Sequence, residues 1–158
     1  MTAAPAPLAI HRADPQDPRI GALIARHFAL MHSLSPPESV HAQDAAALVA
    51  SGAVLLAAAE GDRVLGIGAV KVIAPEHAEL KSMHTVAEAR GRGVASALLL
   101  ALLDEARRLG ALRVSLETGA EPEFEAARYL YVRHGFEICG PFGSYGPDPL
   151  SVFMTRAL

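Results

Sequence analysis

The residues best suited to chemistry form a short run rich in arginine and glycine, Arg90-Gly91-Arg92-Gly93, at the predicted start of a long helix. Glycines at such a position remove side chains where the backbone would meet a ligand. Free N–H groups of a first helical turn, the helix dipole and arginine side chains together favour an anion such as a pyrophosphate. The alternative is a flexible strand-to-helix turn with solvated arginines, and the spacing alone favours neither.

Two other phosphate-binding motifs match this run poorly. A P-loop requires Gly-Lys-Ser/Thr at the start of the helix, whereas this chain has Gly93-Val94-Ala95. A dinucleotide-binding fingerprint matches Gly91 to Ser96 in part, but it belongs after the first strand of a repeated βαβ unit. Three predicted strands in meander order precede the run here, so a dinucleotide site is weakly indicated.

The elements that must position this run follow from the spacing of apolar residues. Strands are predicted at 8–12, 53–60, 64–73, 77–86, 112–116, 136–139 and 150–156, and helices at 18–33, 41–50, 93–109 and 121–134. This order predicts a mixed α/β (α+β) architecture. The helix at 93–109 joins two strands that could be parallel neighbours, because a parallel connection needs a crossover of that length.

Composition limits the classes of function. The 158 residues predict a single domain, with residues 1–7 as a frayed terminus. The formal net charge of -3 argues against binding to nucleic acid or to an anionic membrane. Residues 81–113 nevertheless carry six basic and three acidic side chains. A local basic excess in an acidic chain favours a small anionic ligand over a polyanion.

The sequence also predicts a cytoplasmic protein without a metal site. Cys139 is the one cysteine, which excludes an internal disulfide, and it is interpreted as a small core residue rather than a nucleophile. The N-terminus has no secretory pattern, and no apolar run approaches the roughly 18–20 residues of a membrane helix. The seven histidines show no metal-ligand spacing with acidic support.

A family resemblance gives the arginine–glycine run a more specific meaning. Arg90-Gly91-Arg92-Gly93-Val94-Ala95 resembles the R/Q-x-x-G-x-G/A motif of the GCN5-related N-acetyltransferase (GNAT) superfamily, which binds the pyrophosphate of acetyl-coenzyme A. Leu80 to Val86 is similar to the central strand of that family, and Tyr131 to Phe136 resembles its late Tyr-x-x-x-Gly-Phe signature. The order of elements matches over about residues 8–156. The segments SPPES, SLETG and CGPF resemble a small bacterial branch of poorly defined substrate.

The resemblance implies a GNAT fold and a set of cofactor contacts. We expect a mixed central sheet of about six to seven strands with about four helices, splayed at the central cofactor site. The central strand would contribute backbone groups of Met83 and Thr85 to the pantetheine arm, with His84 between them. Backbone N–H groups from Gly91 through Ala95, including Gly93 and Val94, would hold the pyrophosphate, flanked by Arg90 and Arg92. Acetyl-coenzyme A is the expected cofactor.

The catalytic roles are less specific. The resemblance implies that Tyr131 protonates the departing thiolate, and the alternative is a packing role on its helix. Glu79 is our candidate general base, acting directly or through water. Glu117 is the alternative base, and we expect it to contact the substrate. His84 could titrate near neutrality, although a half-buried strand histidine without a proton-transfer role is favoured.

The acceptor site is predicted around the break between the first two helices. Ser35, Glu38 and His41 lie in a stretch stiffened by two prolines and could line a pocket, or could belong to an ordinary proline turn. The loop at 139–148 could form a second wall through Phe142 and Tyr145. Relatives place an asparagine after the strand that ends at Glu117. This chain contains no asparagine, so Thr118 or backbone would replace that contact.

These inferences predict an acetyl-coenzyme A-dependent N-acetyltransferase that moves an acetyl group to a primary amine of a small molecule or peptide. The amine would attack directly in a ternary complex. The alternative is an acyl-coenzyme A-binding sensor or regulatory module without turnover, and the presence of Tyr131 argues against it. A homodimer is left open, and the sequence does not identify the acceptor amine.

Overall fold

The computed structural model of the chain describes residues 7–35 and 45–158. The strands are β1 (Leu8–Arg12), β2 (Val54–Glu60), β3 (Arg63–Ala74), β4 (His77–Thr85), β5 (Arg113–Gly119), β6 (Glu137–Cys139) and β7 (Ser151–Ala157). The α-helices are α1 (Pro18–Leu34), α2 (Ala45–Ala50), α3 (Val94–Arg108) and α4 (Glu125–Arg133). Short 3-10 helices occupy Ala87–Ala89 and Pro122–Phe124.

The strands form one mixed sheet in the order β1-β2-β3-β4-β5-β7-β6. Neighbouring strands are antiparallel throughout, except that β4 and β5 run parallel. A parallel pair needs a long crossover, and α3 supplies it. The predicted α/β architecture, the mixed sheet and the parallel pair are therefore confirmed.

Within the described residues, two predicted boundaries differ from the structure by three residues or more, each for a local reason. The strand predicted at 112–116 continues to Gly119, because β7 pairs with it along its whole length, from Ala157 to Ser151. The helix predicted at 121–134 begins instead as a 3-10 turn at Pro122–Phe124 and becomes α-helical only at Glu125. The first difference depends on the partner strand and the second on the geometry of the turn. Neither can be inferred from the sequence of one segment alone.

The packing of α3 on the sheet depends on two glycines of β3. A Cβ added to Gly66 would lie 2.9 Å from Leu98 Cδ1, and one added to Gly68 would lie 2.6 Å from Leu102 Cδ1. Leu98 and Leu102 are fully buried, and burial of such a side chain is worth about 1.5–3 kcal/mol. The small residues of β3 thus bring the helix, and the loop that precedes it, close to the sheet.

The first helix covers the opposite face. It begins at Asp17, whose side chain accepts a hydrogen bond from the Arg19 backbone N–H at 2.9 Å, an N-cap arrangement. Ile67 lies between Gly66 and Gly68 on β3, so its side chain points away from α3. It is paired with His84, whose ring contacts His27 of α1. The two helices therefore sandwich the strands that carry the predicted site.

The centre of the sheet is split. Pairing between β4 and β5 is confined to His77–Leu80 and Arg113–Leu116, and the two strands separate beyond that point. On the other side of β4, Ser82 and Met83 face the single residue Gly68, which is a β-bulge, and Ser82 has a positive φ of 56°. Beyond Leu80, the backbone groups of β4 that point toward β5 have no strand partner there.

Candidate active site

One open cavity of about 580 Å³ occupies the split between β4 and β5. This volume lies within the usual range for a small-molecule site. Its wall includes the predicted residues Ser35, Glu79, Met83, His84, Thr85, Arg90, Gly91, Gly93, Val94, Ala95, Glu117 and Tyr131. Arg92 does not line it, and the predicted substrate contacts Glu38 and His41 lie outside the described residues.

One end of the cavity is the start of α3. Gly91 and Gly93 have φ values of 77° and 81°, a region that favours glycine, and an added Cβ would meet nothing within 4 Å at either position. Gly93 is the N-cap and offers no side-chain hydrogen bond. The N–H groups of the first turn therefore have no side-chain cap, and such groups suit an anion.

The two arginines of this loop have different surroundings. Arg90 belongs to the cavity wall. The guanidinium of Arg92 instead forms an ion pair with Glu60 at the end of β2. The sequence run placed both arginines at the pyrophosphate, but the structure brings only Arg90 to the cavity.

Tyr131 lies on α4, with its ring packed edge-on against Phe136 at a centroid distance of 5.7 Å. The residue is 5% exposed, and it borders the cavity. Burial, together with the nearby negative charge of Glu117, raises the pKa of the phenol above its ordinary value. The hydroxyl is therefore protonated at neutral pH and available to donate a proton.

Glu117 lies on β5, immediately after the last residue paired with β4. Its Oε1 accepts a hydrogen bond of 3.0 Å from Ser151 Oγ. Burial raises the pKa of this carboxyl to about 7, and the negative charges of Glu79 and Asp148 act in the same direction. Such a carboxyl exchanges its proton near neutrality, as a general base requires.

Glu79, the other carboxylate candidate, is already engaged. Tyr145 donates a hydrogen bond of 2.5 Å to Glu79 Oε2, and the Lys81 ammonium lies 3.4 Å from the same oxygen. Tyr145, in the loop after β6, belongs to an aromatic cluster with Phe142 of the same loop and Phe153 of β7, and of these three only Tyr145 lines the cavity. The loop therefore supplies a hydroxyl to the site, whereas the predicted wall residue Phe142 packs against Tyr145 away from the cavity.

Sequence reasoning missed Lys81 and His27 as residues of the cavity. Alternation along a strand puts residues 79 and 81 on one face, so a signal for Lys81 was present in the sequence. No comparable signal marked His27, because its position on α1 matches an ordinary core stripe with Ile20, Leu23 and Ile24.

His27 and His84 form a buried pair of imidazoles with ring centroids 5.4 Å apart. Burial is the main cause that lowers both pKa values, that of His27 to about 4. Both rings are therefore neutral at physiological pH. Nδ1 of His27 is buried without a hydrogen-bond partner among the described residues.

Of the other residues considered in the sequence, Ser35 lies in the cavity wall and Cys139 lies outside it. Ser35 Oγ donates a hydrogen bond of 2.7 Å to Glu121. Cys139 is half-buried and outside the cavity wall, and burial raises the pKa of its thiol. Within residues 7–35 and 45–158, no helix is long and apolar enough to cross a membrane.

One cavity thus joins the split in the sheet, the glycine-rich start of α3 and the buried phenol of Tyr131. The model of the acetyltransferase (GNAT) family matches residues 22–136. The chain therefore belongs to the GNAT acetyltransferase family, and it is an N-acetyltransferase enzyme.

Known relatives cover nearly the whole chain. The uncharacterized N-acetyltransferase YsnE of Bacillus subtilis is 43% identical over 140 residues, which is 89% of this chain and 93% of the relative. YedL of Escherichia coli, also an uncharacterized N-acetyltransferase, is 41% identical over 92% of this chain and 91% of its own. A Klebsiella pneumoniae structure, provisionally assigned as an acyl-CoA N-acyltransferase, superposes with a TM-score of 0.78. It is 30% identical, with coverage of 96% and 97% of the two chains.

Proposed function

We propose that this enzyme transfers an acetyl group from acetyl-coenzyme A to a primary amine of a small molecule or peptide, by direct attack in a ternary complex. The observation that carries the proposal is the continuity of one cavity, which reaches from the start of α3 to Tyr131 and Glu117. The acyl-CoA assignment of the Klebsiella relative supports the class of donor.

The residues at the start of α3 fit the donor. Acetyl-coenzyme A supplies the acetyl group as an activated thioester. Backbone N–H groups from Gly91 through Ala95 would hold the pyrophosphate, because no side chain of the two glycines obstructs them. Arg90 adds a positive charge beside it. The backbone groups of β4 after Leu80 that point toward β5 would bind the pantetheine amides, and one strand N–H would polarise the thioester carbonyl.

The chain supplies both proton transfers. As the acceptor nitrogen forms its bond to the acetyl carbon, the carbon–sulfur bond breaks. Tyr131 gives its proton to the leaving sulfur, and a carboxylate takes the proton that the amine loses. Holding both reactants in the split converts an encounter in solution into a positioned reaction.

Glu117 suits the role of base better than Glu79. Glu79 Oε2 already accepts a hydrogen bond from Tyr145 and lies 3.4 Å from the Lys81 ammonium, so this oxygen is occupied by groups of the chain itself. Among residues 7–35 and 45–158, Glu117 accepts one side-chain hydrogen bond, from Ser151, and its pKa is raised to about 7. Glu79 would then support the site by orienting Tyr145 and Lys81.

Calorimetry with acetyl-coenzyme A tests the donor. We expect binding to the wild type, and a loss of about five- to tenfold in affinity for Arg90→Gln, which removes one partly exposed charge from the anion site. Arg92→Gln is the matched control, because Arg92 contacts Glu60 and not the cavity. Absence of binding at millimolar donor would overturn the proposal.

Release of free thiol in the presence of an amine panel tests turnover. Donor binding without thiol release from any acceptor would favour an acyl-coenzyme A sensor over an enzyme. A cytoplasmic location, independence from nucleic acid and membranes, and a monomeric or homodimeric state are further parts of the proposal.

A further inference from the structure

Lys81 is a cation in the wall of an enzyme cavity with few partners for its charge. Its side chain is 10% exposed and lines the cavity. Its described polar contacts are Glu79 Oε2 and Tyr145 Oη, both at 3.4 Å. An ammonium offers three N–H donors, and charge-assisted hydrogen bonds to oxygen are normally about 2.7–2.9 Å long.

The carboxylate beside Lys81, that of Glu79, forms its shorter hydrogen bond with Tyr145. Tyr145 donates to Glu79 Oε2 at 2.5 Å, which is much shorter than the contact from Lys81. Glu79 therefore orients Lys81 without saturating it. A buried ammonium in this state favours an anionic ligand group.

The position of Lys81 in the sheet places it opposite Glu117. Leu80 and Leu116 are the last paired residues of β4 and β5, and Lys81 and Glu117 are the next residue on each strand. Their side chains alternate with those of the leucines and so lie on the same face of the sheet. A cation and a carboxylate thus flank the opening of the split.

We propose that Lys81 binds a carboxylate carried by the acceptor, so that the acceptor is an α-amino acid. Glu117 would receive the amine and Lys81 the carboxylate of the same molecule. Leu30, Met31 and Leu34 of α1 line the cavity and would contact an apolar amino-acid side chain. A polyamine would be repelled by Lys81, and a peptide N-terminus has no α-carboxylate. This inference rests on the proposed acetyl transfer.

Thiol release with matched acceptors tests the proposal. The probes are L-leucine, L-methionine and L-phenylalanine, each compared with its amide and with the amine that lacks the carboxylate, at a fixed concentration of acetyl-coenzyme A. We expect kcat/KM for at least one acid to exceed that of its amide and amine on the order of 10- to 100-fold, the usual effect of one hydrogen bond to a charged group.

Two variants attribute the preference to Lys81. Lys81→Met should remove the preference for the acid over its amide, and Lys81→Arg should restore part of that preference. Lys71→Met is the matched control, because Lys71 is the one other lysine of the chain and lies outside the cavity wall. It should keep the wild-type preference.

Three results would overturn the inference. One is equal turnover of acids, amides and amines. Another is a preference for acids that survives in Lys81→Met. The third is faster thiol release with succinyl-coenzyme A than with acetyl-coenzyme A, lost in Lys81→Met, because the bound carboxylate would then belong to the acyl group. In all three the enzyme still releases thiol, so acyl transfer stands, but the third would replace the acetyl group of the proposed function with an acyl group that carries a carboxylate.

A binding experiment covers the case in which no probe turns over. The protein loaded with coenzyme A is titrated calorimetrically with each acid and its amide. Tighter binding of the acid by wild type but not by Lys81→Met supports the inference, and equal binding contradicts it. Failure of acetyl-coenzyme A itself to bind would instead contradict the proposed function.

Discussion

Tyr131 keeps its proton because its surroundings make the phenolate costly. The ring is buried against Phe136, and the charge of Glu117 opposes a second negative charge nearby. The same two causes, burial and a neighbouring carboxylate, raise the pKa of Glu117. Each group therefore has a protonation state suited to its proposed role, one as acid and one as base.

Tyr131→Phe tests the acid directly. We expect kcat to fall about 100-fold or more, the usual contribution of a positioned acid, while the affinity for acetyl-coenzyme A stays nearly unchanged. The phenyl ring preserves the contact with Phe136, so folding should be retained. Tyr129→Phe, on the exposed face of the same helix at 66% exposure, is the control. Unaltered turnover of Tyr131→Phe would remove the phenol from the mechanism.

The pH dependence tests Glu117. With a pKa of about 7, the carboxylate form grows as pH rises, so kcat/KM should increase through neutrality and level off near pH 8. Glu117→Gln should lose most of its activity together with this limb of the profile. Glu79→Gln should keep the limb. If the rise of kcat/KM through neutral pH is kept in Glu117→Gln but lost in Glu79→Gln, then Glu79 is the base and Glu117 the supporting residue.

The same carboxyl should affect stability with a defined sign. Its pKa is raised in the folded state from 4.5 to about 7, so the folded protein binds more protons than the unfolded chain between those values. Stability attributable to Glu117 therefore falls as pH rises from about 4.5 to 7. The shift corresponds to at most about 3 kcal/mol. Urea unfolding should find Glu117→Gln more stable than wild type at pH 8, with the difference vanishing near pH 4.5.

For single residues, the sequence was informative where the residue belongs to a recognisable motif. It was less informative where the role of a residue depends on a partner far away in the chain. Gly91, Gly93 and Tyr131 were singled out from local signatures, and all three line the cavity. Arg92 was assigned to the pyrophosphate, but its partner Glu60 is 32 residues away in the chain. The engagement of Glu79 by Tyr145 spans 66 residues and required the fold.

For the strands and helices too, the sequence predicted the local features and missed those that depend on neighbouring strands. The pattern of apolar residues predicted the strands and helices because each reflects a local repeat, and it also predicted the parallel pair through the length of α3. It did not predict where β4 and β5 separate. That point depends on the bulge opposite Gly68, on the positive φ of Ser82 and on the partner strands, none of which follows from the pattern of one segment.

The packing of α1 on β4 carries an unusual polar contact, and this leads to a prediction about stability. Burial lowers the pKa of His27 from 6.5 to about 4, so between these values the unfolded chain binds a proton that the folded protein does not. Stability should therefore fall as pH drops from about 6.5 to 4, by at most about 3 kcal/mol from this residue. His84 adds a smaller dependence of the same sign, again mainly from burial.

Two variants separate the titration of His27 from its polarity. His27→Leu and His27→Gln both remove the titrating ring, so urea unfolding of each should change less than wild type between pH 7.5 and pH 5. At pH 7.5 the leucine variant should match or exceed wild type, because it removes a buried Nδ1 that has no partner among the described residues. Retention of the full wild-type pH dependence in both variants would contradict the assignment.

On the scale of the whole molecule, the sheet consists of two parts that meet at a short contact. The strands β1 to β4 form one part and β5, β7 and β6 the other, joined by the pairing of His77–Leu80 with Arg113–Leu116. A donor bound in the split would contact both parts, through β4 and the start of α3 on one side and through Glu117 and Tyr131 on the other. We therefore expect binding to stabilise the fold as a unit.

This expectation can be measured as a shift in thermal unfolding. At a concentration of 100 times Kd, acetyl-coenzyme A should add about 2.7 kcal/mol to the free energy of unfolding, which corresponds to about 5–10 °C in Tm for a domain of this size. Pantetheine at the same concentration lacks the pyrophosphate and should give a much smaller shift. Hydrogen exchange should slow both in the part of β4 that is not paired with β5, 81–85, and in the part of β5 that is not paired with β4, 117–119. Protection confined to one of the two strands would show that the donor does not bridge the split, and an equal shift with pantetheine would exclude the start of α3 as its anion site.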